Sequence, residues 1–88
     1  MISIKVLGPG CSNCVKVGDI AKKVVSTLSV EAEIEKVTDY PEMMEYRILA
    51  TPALVINGKV KCAGRIPSEA EVTTWVMNEL AVHESTQR

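Results

Sequence analysis

Apolar and polar residues alternate from Ile2 to Leu7, with Ile2, Ile4 and Val6 on one side and Ser3 and Lys5 on the other, which predicts a strand. Gly8-Pro9-Gly10 breaks it. From Cys11 or Ser12 the period changes: Val17, Ile20, Ala21, Val24 and Leu28 recur at helical spacing, predicting a helix to about Leu28. Val30, Ala32 and Ile34 then alternate with Glu31, Glu33 and Glu35, the pattern of a strand with one wet face at a sheet edge. Thr38-Asp39 can cap a short helix over about Pro41 to Arg47, with Pro41 in the first turn, where proline is tolerated.

Ala53 to Ile56 reads as a compact third strand, Asn57-Gly58 as a two-residue hairpin turn, and Val60 to Ala63 as the returning fourth strand. On that fourth strand Cys62 is expected to share a face with Val60 and to point into the core. Pro67 to Glu71 opens a last helix. Ser68 and Glu71 have the spacing of a capping box, and Val72, Trp75, Val76 and Leu80 form its buried face. Residues 83–88 are polar and are expected to fray as a tail beyond a domain spanning 1–82. The order β-α-β-α-β-β-α predicts an α/β domain: a right-handed parallel crossover, then a hairpin and a helix, giving a four-stranded mixed sheet with helices on both faces.

Composition narrows the functional classes. The chain has 88 residues, 47% of them apolar, with no Phe and one Trp, so its core must be aliphatic. Its formal net charge is −1, and no clustered basic face marks a nucleic-acid partner; Lys16, Lys22 and Lys23 read as solvated helix surface. The start "MISIKVLGPG" reads as a strand rather than a signal peptide, and no apolar run approaches a membrane span. A cytoplasmic protein with no nucleic-acid or membrane partner is the expectation. Its three cysteines are an odd count, which speaks against a disulfide framework.

The chemistry concentrates in "GPGCSNCVKVGD", where Cys11 and Cys14 stand between a strand and a helix. A thiol at a helix start faces unpaired backbone N–H groups and the positive dipole end, which favours thiolate, the reactive form. Cys11 is therefore the expected nucleophile. Cys14, one turn on and more buried, is the expected resolving thiol. Cys62 reads as a buried structural cysteine or, alternatively, a secondary thiol near the groove. Lys5 reads as snorkelling beside the second helix, or as pairing with a carboxylate or tuning the thiols. Met43 and Met44 read as packing residues that could also line a partner surface.

The CxxC at a strand–helix junction, Thr51-Pro52 in "ATPALVINGKV", and the closing β-β-α with Gly64 together resemble the thioredoxin-like superfamily, closest to its small redox-active disulfide proteins. The resemblance spans Ile2 to about Leu80. It implies a cis peptide bond before Pro52 facing the CxxC, with Thr51 and Pro52 holding a substrate backbone. It implies Ala63 and Gly64 as the opposite wall, and Gly10, Ser12 and Asn13 beside the thiols. It further implies a monomeric disulfide oxidoreductase acting on disulfide-containing proteins or small molecules. Such an enzyme needs no bound cofactor or metal and takes electrons from a dithiol or a flavin-dependent thioredoxin-reductase-like donor. Gly10 and Ser12-Asn13 depart from the residues thioredoxins usually carry there, and "GRIPSE" departs from the glutathione-binding stretch of glutaredoxins.

One rival shares the first half of the pattern. Cu(I) chaperone domains also carry a CxxC between a first strand and a first helix, and paired thiolates suit that soft ion. They run β-α-β-β-α-β and end on a strand, whereas this chain is expected to end on a helix. A zinc site would have to draw on Cys11, Cys14, Cys62 and His83, and a binding module without catalysis would not require the intact CxxC.

Overall fold

The computed structural model describes residues 2–10, 12–48 and 50–86, with the backbone alone for 81–86. Its elements are β1 (Ile2–Leu7), α1 (Ser12–Thr27), β2 (Ala32–Val37), α2 (Tyr40–Met44), β3 (Ala53–Ile56), β4 (Lys59–Ala63) and α3 (Glu69–Thr86). The expected order is present, and it ends on a helix, unlike the chaperone pattern. The sheet runs β2-β1-β3-β4, with β1 parallel to β2 and the remaining pairs antiparallel. The mixed α/β sheet is therefore as the sequence predicts, with β2 at an edge.

Strand alternation sorts the core into two layers. Ile2, Ile4 and Val6 of β1 join Leu54 and Ile56 of β3 beneath Val17, Ala21 and Val24 of α1 and Val72 and Val76 of α3. Ile20, Leu28, Trp75 and Leu80, expected to be buried, pack against this layer while partly exposed. Leu7, Val37, Ala53 and Val55 face the other way, against Met43 of α2, with Tyr46 and Ile48 beside it. Ile4, Leu54 and Ile56 are fully buried; each such side chain contributes about 1.5–3 kcal/mol through apolar burial.

The last helix starts where expected. The Ser68 amide donates to Glu71 Oε1 at 3.0 Å and the Glu71 amide donates to Ser68 Oγ at 3.1 Å, forming the reciprocal capping box. α3 stays helical through Thr86, into the stretch expected as a tail.

Several local expectations are corrected. β2 begins at Ala32 rather than Val30 and continues to Val37, because its register with β1 runs on to Leu7↔Val37. α2 ends at Met44, short of Arg47, as the Glu45, Tyr46 and Arg47 amides donate three residues back, to Glu42, Met43 and Met44. That tighter pattern closes a helix, and Arg47 follows with φ +55°. Asp39 does stand at the N-cap, but its side chain makes no capping hydrogen bond there. Val60 and Cys62 do not share a face: Val60 pairs with Val55 and Cys62 with Leu54, across a register shift that leaves Lys61 as the extra residue. Val60 is accordingly exposed, while Cys62 is buried in the α1/α3 layer.

Candidate active site

The parallel strands β1 and β2 end together, and the first turn of α1 rises beside them. Cys14 lies in that turn and is buried, at 5% exposure. The turn carries no acidic residue, so nothing on it offsets the positive end of the helix dipole. Gly8 closes β1: its amide donates to the Val37 carbonyl at 3.0 Å, and its chain passes directly against the Cys14 side chain. A Cβ on Gly8 would overlap the Cys14 sulfur and touch the Thr51 side chain, at 3.8 Å. Glycine is required here by close approach rather than by backbone conformation.

Thr51 and Pro52 form the second wall. The peptide bond between them is cis. Pro52 is buried and Thr51 exposed. The Gly64 amide donates to the Pro52 carbonyl at 2.8 Å, and Ala63 pairs with Ala53, so the end of β4 is tied to this loop. Gly64 has φ +82°, and a Cβ on it would sit 2.9 Å from that of Ala50. The structure thus gathers Gly8, Cys14, Thr51, Pro52, Ala63 and Gly64 at one end of the sheet. Gly10, Ser12 and Asn13 are exposed around the start of α1. Cys11, the expected nucleophile, lies outside the described residues.

Two depressions flank this constellation. One, of about 90 Å³, is lined by Val6, Gly8, Gly10, Cys14, Val15, Lys36 and Thr38. The other, of about 180 Å³, lies beside Thr51 and is lined by Tyr40, Met43, Met44, Ile48 and Ala50. Met44 and Tyr40 are exposed there, at 46% and 70%, while Met43 is buried in the α2 layer.

The remaining candidates settle elsewhere. The Lys5 ammonium stands 3.8 Å from Glu42 Oε2 and 5.9 Å from the centre of the Tyr46 ring, so it pairs with a carboxylate of the second helix. Hydrogen bonding to Tyr46 raises its pKa. Burial pushes the Cys62 thiol up, against the opposing pull of Arg65, which disfavours thiolate at that position. The side chain of His83 lies outside the described residues.

Sequence reasoning missed Gly8 as a site residue. It had marked the glycine only as a strand breaker, and its approach to Cys14 depends on how α1 docks. Lys36 is a second residue that the sequence did not single out, since its position beside Cys14 follows from the β1–β2 register and the docking of α1.

An α/β sheet of this order, with a buried cysteine in the first helical turn facing a cis-proline loop, defines a thioredoxin-like fold. Residues 2–77 match the family model described as "Thioredoxin domain", and the chain belongs to that family. It is 33% identical over 72 residues to a thioredoxin of Methanothermobacter thermautotrophicus, covering 82% of this chain and 94% of that protein. It is 36% identical over 72 residues to a thioredoxin of Methanocaldococcus jannaschii, covering 82% of this chain and 83% of that one. Among solved structures it is similar to the germline-specific thioredoxin Deadhead of Drosophila melanogaster, with a TM-score of 0.61 at 16% identity, over 88% of this chain and 79% of that one. That likeness concerns the fold. At the level of the family the chain is a thioredoxin-like thiol–disulfide oxidoreductase whose substrates are disulfides. Among the described residues, no helix is long and apolar enough to cross a membrane.

Proposed function

We propose that Cys11 and Cys14 form the reacting dithiol of a disulfide reductase. The Cys11 thiolate attacks one sulfur of a substrate disulfide, forming a mixed disulfide and expelling the first substrate thiolate. The Cys14 thiolate then attacks the Cys11 sulfur and expels the second. Two electrons and two protons pass to the substrate, which leaves as two thiols, while the protein is left with a Cys11–Cys14 disulfide. A dithiol or flavin-dependent reductase returns it to the dithiol form. The protein works as a cytoplasmic monomer, without a bound cofactor.

The observation that carries this reading is the contact of the buried Cys14 with Gly8 beside the Thr51–Pro52 loop. A resolving thiol must be shielded from solution yet close to the bond it will break. Thr51 offers backbone to an extended substrate segment, Pro52 presents a wall without an N–H, and Ala63 and Gly64 leave room opposite for that segment. Gly10, Ser12 and Asn13 border the thiols on the solvent side. The depression beside Thr51 suits an apolar substrate side chain.

The test is a pair of variants. Cys11→Ser abolishes reduction of a protein disulfide; retained turnover would overturn the assignment. Cys14→Ser accumulates a mixed disulfide through Cys11, visible by mass spectrometry as a reducible adduct. Its absence under oxidising conditions would remove Cys14 from the resolving step.

A further inference from the structure

The smaller depression has a lysine and a cysteine among its lining residues, which its neighbour beside Thr51 does not. It is lined by Val6, Gly8, Gly10, Cys14, Val15, Lys36 and Thr38. The register of the two parallel strands sets Lys36 opposite Val6, at the end of the edge strand and on the face that α1 covers. Lys36 is therefore held beside the first turn of that helix. Among the described residues its ammonium, like those of Lys16 and Lys22, is outside any ion pair, whereas Lys5, Lys23, Lys59, Lys61 and Arg65 each form one.

A volume of about 90 Å³ is small. It has room for several waters, and so for a small group such as a carboxylate. An ammonium and a hydroxyl-bearing side chain among the lining residues, with Val6 and Val15 beside them, suit that group in charge.

We infer that the cleft formed by Gly8, Gly10, Cys14, Val15, Lys36 and Thr38 is an anion subsite, and that it selects disulfides carrying a carboxylate a few bonds from the reacting sulfur. The inference rests on the dithiol chemistry proposed above. Lys36 acts on recognition: it draws the substrate anion in beside the dithiol, while the exchange itself remains with the cysteines. The substrate disulfide is reduced to two thiols as the Cys11–Cys14 dithiol is oxidised, so no further reactant is needed.

The experiment compares three disulfides of similar length and different charge: 3,3′-dithiodipropionate, 2-hydroxyethyl disulfide and cystamine. The reduced protein is mixed with each at low ionic strength, and every rate is divided by that of dithiothreitol with the same disulfide, which removes intrinsic reactivity. The expected order is anionic, neutral, cationic, with the anionic substrate favoured over the neutral one by about two- to fivefold, the worth of one exposed ion pair. High salt compresses the order. Lys36→Gln brings the anionic-to-neutral ratio to about one, Lys36→Arg keeps it, and Lys16→Gln, on the solvent face of α1, does not change it. A ratio that Lys36→Gln leaves in place, or that Lys16→Gln lowers equally, overturns the subsite while leaving the reductase reading intact. Failure to reduce any of the three overturns the reductase reading and the subsite with it.

Discussion

The two ends of the sheet are built in opposite ways. At the hairpin end, three polar side chains converge on one buried carboxylate. Asn57 donates its amide to the Ser3 carbonyl at 2.7 Å and accepts from the Ser3 amide through Oδ1 at 2.9 Å. Its side-chain nitrogen, Lys59 and Lys61 all donate to the carboxylate of Glu79 on α3, each at 3.3 Å. Glu79 is only 4% exposed; burial pushes its pKa up, but the three donors outweigh this and hold it below the ordinary value. At the cysteine end, the described wall residues take no part in an ion pair. The walls are Gly8, Ala63, Gly64 and the Thr51–Pro52 loop, with backbone hydrogen bonds in place of ion pairs. One end locks the hairpin to the last helix. The other keeps its wall side chains small, which under the proposed function leaves room for a substrate's backbone and sulfur.

The contrast breaks most sharply at Gly8. Gly8→Ala forces its Cβ into the Cys14 sulfur, so disulfide exchange falls by more than tenfold and unfolding free energy drops toward the upper end of about 1–3 kcal/mol. Stopped-flow kinetics and urea titration read the two effects separately. Unchanged kinetics would show that the close approach is not needed.

At the opposite end the two effects separate. Glu79→Ala leaves two lysines and an asparagine without their acceptor and costs about 1–2 kcal/mol. The exchange rate of the folded variant stays within about twofold of the parent; a large kinetic loss would mean that the ends are coupled. Gly64→Ala lies between these cases, because it combines φ +82° with the 2.9 Å approach to Ala50. It costs about 1 kcal/mol and slows protein substrates more than small disulfides.

The smallest effect is a pH dependence near the start of α3. Arg65 and the Ser68 amide hold Glu71 at a pKa of about 2, below its ordinary 4.5. A lowered folded pKa means that the stabilisation is complete above about pH 4.5 and is lost as pH falls toward 2. Melting temperature therefore falls less steeply over that window in Glu71→Gln than in the parent. Parallel curves would place the acid sensitivity elsewhere.

How much of this was legible in the sequence follows the same division. Periodicity revealed the strands, α1 and the core face that α1 covers, since an aliphatic side chain on the wrong side of a sheet has no favourable alternative. The capping box and the Asn57-Gly58 turn were readable because their chemistry is local. The register shift at Lys61 was not, because a bulge depends on how two strands meet; it turned Val60 outward while keeping Cys62 inside. The burial of Glu79 was equally hidden, since its partners Asn57, Lys59 and Lys61 lie on another element. At the cysteine end, CxxC and Thr51-Pro52 were legible as motifs. The fit of Gly8 against Cys14 and the place of Lys36 were not, because each depends on the packing of α1 over β1 and β2.

The central claim is that Cys11 and Cys14 interconvert as one couple. The most direct measurement equilibrates the metal-free protein in dithiol/disulfide buffers, alkylates the remaining thiols and maps them by mass spectrometry. The account predicts a reversible two-electron Cys11–Cys14 transition in the range of about −200 to −270 mV, with Cys62 alkylated at every potential. Independent titration of the two cysteines, or no reversible transition in that range, would contradict it.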